Sequence, residues 1–369
     1  MKPICKTTAA TLVILAASLP NVIAQDAIKQ RPIGVLLAAG DIAYCVDKGD
    51  RKRAEATGKL ALELAKQAEA ENIPVRVLAL GDLAYEDGSE DAFECFTKTW
   101  GEGLSKYLLP VPGNHEYTRS DPYYFKYFRQ KNNSWVLQQE KEKGKKGARL
   151  GYFYLNFPDE KSGPWRLLGL NSEIKGPVMD EQIGWLTDKL QGKLENGQKP
   201  RCVLAFWHKP VLSSGMHGHG DCSACTKPDA ALCRPQNAPL PFCKGTRTML
   251  PAYRALFEQG ASVVLTGHDH HYEQFAPHDP NGEPHAQGLR SFVVGTGGKE
   301  LYRTRYTERW KEVPEGPREV YNHDTYGVLR IELYSDRYSW SFISITGAKL
   351  PLTRKDGVTI DNFTCNQRP

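Results

Sequence analysis

The sequence predicts an α/β protein with two packed mixed β-sheets flanked by helices. Three observations carry that prediction. Strand-like and helix-like segments alternate through the first half of the chain. The C-terminal end carries hairpin patterns instead. Short apolar runs repeatedly stop at a glycine followed by a polar residue, as buried strands do where they leave a sheet.

Each element follows from its pattern. "IGVLLAAGD" is a short apolar run closed by Gly-Asp and reads as a buried strand. "KRAEATGKLALELAKQAEAEN" places Leu60, Leu64 and Ala68 at fourfold spacing, the signature of an amphipathic helix. "VRVLALGD" is a second buried strand, a helix is expected around Asp91 to Leu104, and "LLPVPGNHE" is a third strand running into a loop. This β-α-β-α-β order argues for a parallel sheet with helices outside. "LGYFYLNF" and "WRLLGLNS" read as strands, and "MDEQIGWLTDKLQG" as a helix with Ile183, Leu186 and Leu190 on one face. "CVLAFWHKP" is a strand ending in a histidine, "PAYRALFEQG" a helix, and "SVVLTGHDHH" a strand ending in three histidines. In "GVLRIELYSDRYSWSFISI", Tyr338, Trp340 and Phe342 alternate onto one face of a hairpin.

The first residues stand apart from this pattern. Lys2 and Lys6 precede an apolar run from Ala9 to Leu19, and Val22-Ile23-Ala24 suits cleavage before Gln25. Residues 1–24 are therefore expected to be a signal peptide, leaving 25–369 as a single domain that is secreted or periplasmic. The run is shorter than the ~20 residues a membrane span needs, and no later segment is long and apolar enough for one. The formal net charge of +5 gives no support to a nucleic acid partner. "EKEKGKKGAR" near Lys143 reads as a solvated basic loop.

Of the nine cysteines, Cys5 lies in the leader, and the even remainder in an exported chain favours disulfides. Cys222, Cys225, Cys233 and Cys243 cluster in a Cys-rich insertion at about 213–246, where disulfides are favoured over a zinc knuckle. The pairing of Cys45, Cys95, Cys202 and Cys365 cannot be read from their spacing. "NNS" at Asn132 and "NFT" at Asn362 match glycosylation acceptors, which matter only in a eukaryotic secretory pathway.

The chemistry gathers where strands end. The stretches "AAGDIAY", "LALGDLAYEDG", "VPGNHEY", "FWHKP" and "LTGHDHH" place Asp41, Asp82, Tyr85, Asn114, His115, His208, His268 and His270 at carboxyl ends of strands, where α/β sheets bind ligands. Mixed oxygen and nitrogen donors of this kind suit two adjacent cations such as iron, manganese or zinc. Two such ions clamp the attacking and leaving oxygens of a phosphoryl transfer and lower the pKa of bound water.

Read in order, the blocks GD, GDxxY, GNHE, a lone His and GHxH resemble the calcineurin-like metallophosphoesterase superfamily, over about Ile33 to Tyr272. The tyrosine of "GDLAY" is most similar to purple acid phosphatases, as is "GHDHHYE" to GHxHxYE. The resemblance implies an αββα sandwich and an exported enzyme that cleaves phosphate monoesters by attack of a metal-held hydroxide. It implies that Asp41, Tyr85 and His270 hold one ion, ferric iron in the family. Asp82 would bridge, and Asn114, His208 and His268 would hold a divalent ion (iron, zinc or manganese). His115 would assist at the phosphoryl or leaving-group oxygen. Ala43 stands where the family's first block has glycine, and the extra N-terminal β domain of plant-type members has no room after the expected cleavage site.

His217 and His219, in "GMHGHGDCSAC", are candidates for lining the substrate pocket. His271 reads as a surface residue or one behind the ligands, and Asp269 has no assigned role. Two other readings are a phosphodiesterase or nucleotide hydrolase on the same site, and a non-catalytic metal-binding surface protein. Comparing mono- and diester hydrolysis separates the first from the leading one; metal content without hydrolysis would mark the second.

Overall fold

A computed structural model describes residues 31–142, 144, 150–213, 215, 217, 247–302, 318–348 and 363–367. The expected leader, most of the basic loop near Lys143, most of the Cys-rich insertion with its clustered cysteines, His219 and Asn362 lie outside the described residues. The chain from Pro32 onward groups as one unit.

In chain order the first elements are β1 (Gly34–Ala39), α1 (Lys48–Ala70), β2 (Val75–Leu80), α2 (Glu90–Phe96), α3 (Glu102–Leu104), β3 (Leu108–Val111), α4 (Tyr123–Gln130) and α5 (Gln138–Glu142). Next come β4 (Phe153–Phe157), β5 (Trp165–Gly169), α6 (Pro177–Gln191), β6 (Cys202–Phe206), α7 (Leu250–Glu258) and β7 (Val263–Thr266). The last are β8 (Tyr272–His278), β9 (Leu289–Val294), β10 (Arg318–Asn322), β11 (Gly327–Leu333), β12 (Arg337–Ser344) and β13 (Phe363–Thr364).

The strands form two mixed sheets, as the sequence predicts. One has the order β13-β12-β11-β1-β2-β3, the other β10-β8-β9-β7-β6-β5-β4. The first sheet has its parallel strands, β1-β2-β3, at one edge, with antiparallel β11, β12 and β13 beyond β1; the second has parallel β5-β6-β7-β9 at its heart with antiparallel strands on both sides. Side-chain alternation then divides the core. Leu204, Phe206, Val263 and Leu265 join Leu36, Leu78 and Phe342 in one cluster between the sheets. Val203, Ala205 and Val264 point the other way, onto Leu186 and Leu190 of α6 and Leu256 of α7.

On the first sheet's far side, α1 begins at Asp47, whose carboxylate accepts from the backbone N–H of Gly49 (2.7 Å) and Asp50 (2.9 Å). Its buried face is made of small residues, Ala54, Thr57, Gly58, Ala61 and Ala65, so the helix backbone can approach the sheet closely. Leu64 and Ala68 lie on that face as expected, while Leu60 is only half-buried. The helix expected around Asp91 to Leu104 is α2 and α3 joined through a π turn at Thr97–Gly101. Tyr338, Trp340 and Phe342 all face the core.

Two disulfides link described cysteines: Cys45 to Cys95 and Cys202 to Cys365. Among the described residues no helix is long and apolar enough to cross a membrane.

Candidate metal centre

Five strands end at one place. Asp41 follows β1, Asp82 and Tyr85 follow β2, Asn114 and His115 follow β3, His208 follows β6, and His268 and His270 follow β7. The chain leaves three of these strands through a residue in the left-handed region: Asp41 at φ 60°, Asp82 at φ 48° and His268 at φ 74°. That conformation is costly for residues with a Cβ and concentrates at functional sites. Glycines make the close approaches possible. A Cβ on Gly113 would lie 2.2 Å from Asp82 Oδ1, and one on Gly81, itself at φ +81°, would lie 2.6 Å from the His208 ring.

The donors fall into two groups that share Asp82. In the first, the Tyr85 hydroxyl lies 2.9 Å from Asp41 Oδ1, 3.1 Å from His270 Nε2 and 3.2 Å from Asp82 Oδ2. In the second, His208 Nε2 lies 3.1 Å from Asp82 Oδ2, from Asn114 Oδ1 and from His268 Nδ1. Asp82, His208 and His268 each offer a ligand atom within 4.8 Å of the others. Asp41, Asp82, Tyr85, His208 and His270 are buried.

The rings are aimed from behind. His208 Nδ1 donates to the Leu80 carbonyl (2.9 Å) and His270 Nδ1 to the Glu300 carbonyl (2.8 Å). Each neutral ring therefore turns an Nε2 lone pair toward the centre, the arrangement in which histidines serve as metal ligands. Lone pairs from carboxylates, imidazoles and an amide oxygen thus converge, and something positive must neutralise them. In the protein alone, protons fill that role. Burial alone would lower His208, but the Asp82 carboxylate raises it to about 10. Burial, then Asp41 and Asp82, push the Tyr85 phenol well above its ordinary value. Burial alone would raise Asp82; His208 outweighs it and holds the carboxyl below the usual range. Burial and the charge of His208 keep His268 well below an ordinary histidine. Cations fit the same donor set, with charge and lone-pair geometry both suited to them.

Other residues serve these loops. Glu116, fully buried, accepts backbone N–H groups from Leu83 (2.8 Å), Ala84 (3.1 Å) and Gly113 (2.7 Å), locking the second and third blocks together. Burial and the Asp82 carboxylate raise it to about 8. Ala43, in the family's glycine position, bridges to Ala84 without obstruction. Asp269 accepts from Ser213 Oγ and from the His217 backbone N–H (3.0 Å), so it holds the start of the loop after β6. His271 is no surface residue: it is fully buried, 3.2 Å from Glu273 and facing Tyr321.

His115 sits at the rim, its ring 4.3 Å from that of Tyr85 and its Nε2 3.8 Å from Asp82 Oδ2. His217 reaches the centre, its ring 4.1 Å from that of His268. Sequence reasoning passed over Tyr302, which stacks on His270 at 4.2 Å. The signal was present: "FVVGTGG" at the end of β9 is a sixth apolar strand closing on glycine.

A family model for calcineurin-like phosphoesterases matches residues 35–272, from β1 to the start of β8. The chain belongs to that family. The ligand groups described above lie within the matched span. Two solved structures share the phosphoesterase fold. A purple acid phosphatase, PPD1, from yellow lupin (Lupinus luteus) seeds has 15% identity and a TM-score of 0.56, over 91% of this chain and 54% of that one. This chain thus spans about half the length of the lupin protein. GAP50, an anchor in the inner membrane complex of Plasmodium, has 12% identity and a TM-score of 0.52, over 91% of this chain and 89% of that one. At such identities the likeness is one of fold. No curated protein matches the chain significantly.

Proposed function

We propose that this phosphoesterase is an exported binuclear metallohydrolase of phosphate monoesters. Asp41, Tyr85 and His270 would hold one ion, ferric iron, and Asn114, His208 and His268 would hold a divalent ion: iron, zinc or manganese. Asp82 lies between them. One observation carries the reading: a single carboxylate oxygen, Asp82 Oδ2, is 3.2 Å from the Tyr85 hydroxyl and 3.1 Å from His208 Nε2. The oxygen touches both ligand groups, as a carboxylate that bridges through one oxygen would.

When bound, the ions would supply an activated water and offset charge building on the phosphoryl oxygens. The chain supplies the rest. The left-handed turns at Asp41, Asp82 and His268 fix the ligand atoms before substrate arrives, so little reorganisation accompanies the reaction. His115 turns Nδ1 toward the Glu86 carbonyl, so only as an imidazolium would its Nε2 carry the proton that is donated to a phosphoryl oxygen or to the leaving alcohol. His217, beside His268, is placed to line the substrate pocket. The two disulfides and the leader read at residues 1–24 support export.

Asp82→Ala tests the centre. Turnover of a chromogenic phosphomonoester should fall by roughly three orders of magnitude or more, the scale of losing electrostatic catalysis, and metal content should drop at both positions. Normal hydrolysis by this variant sinks the proposal. The wild-type absorption spectrum tests the iron assignment: a visible phenolate-to-iron band should vanish in Tyr85→Phe. Faster hydrolysis of diesters than of monoesters would move the substrate class.

A further inference from the structure

The segment after β9 contributes no residue to the ligand groups, yet it is stitched along them. Gly297 N–H donates to the Gly40 carbonyl (2.8 Å), Lys299 N–H to that of Asp41 (3.0 Å), and Tyr302 N–H to that of His270 (3.1 Å). Tyr302 is thereby delivered to the centre from a sixth strand end. Its ring stacks on His270, with planes 12° apart. Its hydroxyl lies 3.0 Å from His217 Nε2 and 3.5 Å from His270 Nε2. His217 in turn lies against His268 and donates its backbone N–H to Asp269. The two side chains form an arc from His270, in one ligand group, to His268, in the other. A backbone hydrogen bond alone leaves an imidazole free to rotate about its own side-chain bonds. A second anchor on the ring nitrogen removes that freedom.

We propose that Tyr302 is a positioning residue: its hydroxyl locks the His217 ring into the wall of the pocket, across both ligand groups, where it helps hold the phosphoryl oxygens. The inference rests on the reading of this site as one for phosphate esters. It assigns to Tyr302 a part in substrate binding and none in holding metal.

Tyr302→Phe, His217→Ala and the double variant, each as metal-loaded full chain, test it. Metal content, binding of inorganic phosphate by calorimetry, and kcat and KM on a chromogenic phosphomonoester are measured. Tyr302→Phe keeps the stacked ring and should retain full metal content. Losing one hydrogen bond should weaken phosphate binding about 3- to 10-fold, with KM rising more than kcat falls. In the His217→Ala background the same change should cost little further, because both act through one contact. Wild-type phosphate affinity in Tyr302→Phe overturns the inference, as do lost metal or fully additive effects in the double variant. A wild-type protein that binds phosphate but hydrolyses no ester refutes the catalytic reading alone, and the calorimetric comparison still decides the role of Tyr302.

Discussion

Glu116 accepts three backbone N–H groups from two ligand-bearing loops, so its two oxygens set the spacing between Asp82 and Asn114. A glutamine there places an N–H₂ against at least one of those donors. We expect Glu116→Gln to lower kcat/KM by about 100-fold, the scale of a small misplacement of reacting groups, and to lower metal content, while circular dichroism stays native. Full activity with full metal would show that the clamp is dispensable. His278 is a residue of stability. It is buried at the end of β8, its Nε2 2.6 Å from the Tyr253 hydroxyl, and burial lowers it to about 4. The folded value lies below the unfolded one, so the unfolded chain takes up the proton first as pH falls. Its contribution is complete above pH ~6.5 and is lost toward pH ~4, by about 3 kcal/mol. Denaturant titrations at both pH values should show that loss reduced in His278→Gln; an identical slope for both proteins would contradict it.

Among the elements, α1 shows packing overruling propensity. Alanine at Gly58 would favour the isolated helix by about 1 kcal/mol. A Cβ there, however, would sit 2.2 Å from the Thr99 carbonyl oxygen, which the π turn holds in place. Gly58→Ala should therefore destabilise the protein by about 1–3 kcal/mol, read from the denaturation midpoint, with metal content unchanged. A raised midpoint would mean that α1 can lift off the turn without cost. The strands that bear the ligands are legible because each carries its own signal, an apolar run that stops at a glycine or, for β6, at His208. The outer strands β8 and β10 are not legible in the sequence, since "YEQFAPH" and "REVYN" mix polar and apolar residues without clean alternation.

At the scale of the whole molecule, the Cys202–Cys365 disulfide joins the first residue of β6, in one sheet, to the end of β13, in the other. It lies at the opposite end of β6 from His208, and Arg201 donates to the Cys365 (3.1 Å) and Asn366 (2.8 Å) carbonyls beside it. The cross-link spans 163 residues and so restricts the unfolded chain strongly. A Cys202→Ser, Cys365→Ser variant should lose about 2–5 kcal/mol of stability in chemical denaturation and keep its metal content. Loss of metal at native pH with the fold intact would show that the clasp also sets the site.

The sequence by itself determined the ligand-bearing strands, the helices between them and the polar residues that stand at strand ends, because periodicity and apolar runs that stop at a glycine are local properties. It determined a donor chemistry too, through residue type alone. Only the tertiary structure decided which strands share a sheet, which cysteines pair, and which side chains meet. Tyr85 and His270 approach across 185 residues, and the His268 N–H reaches Asp41 across 227. Glu116, Asp269 and Tyr302 acquire their roles from such contacts, and no local pattern encodes a partner so far along the chain. The physical reason is that a strand's register, once its apolar face is buried, aims its end, and the convergence of several ends is a property of the packed sheets together.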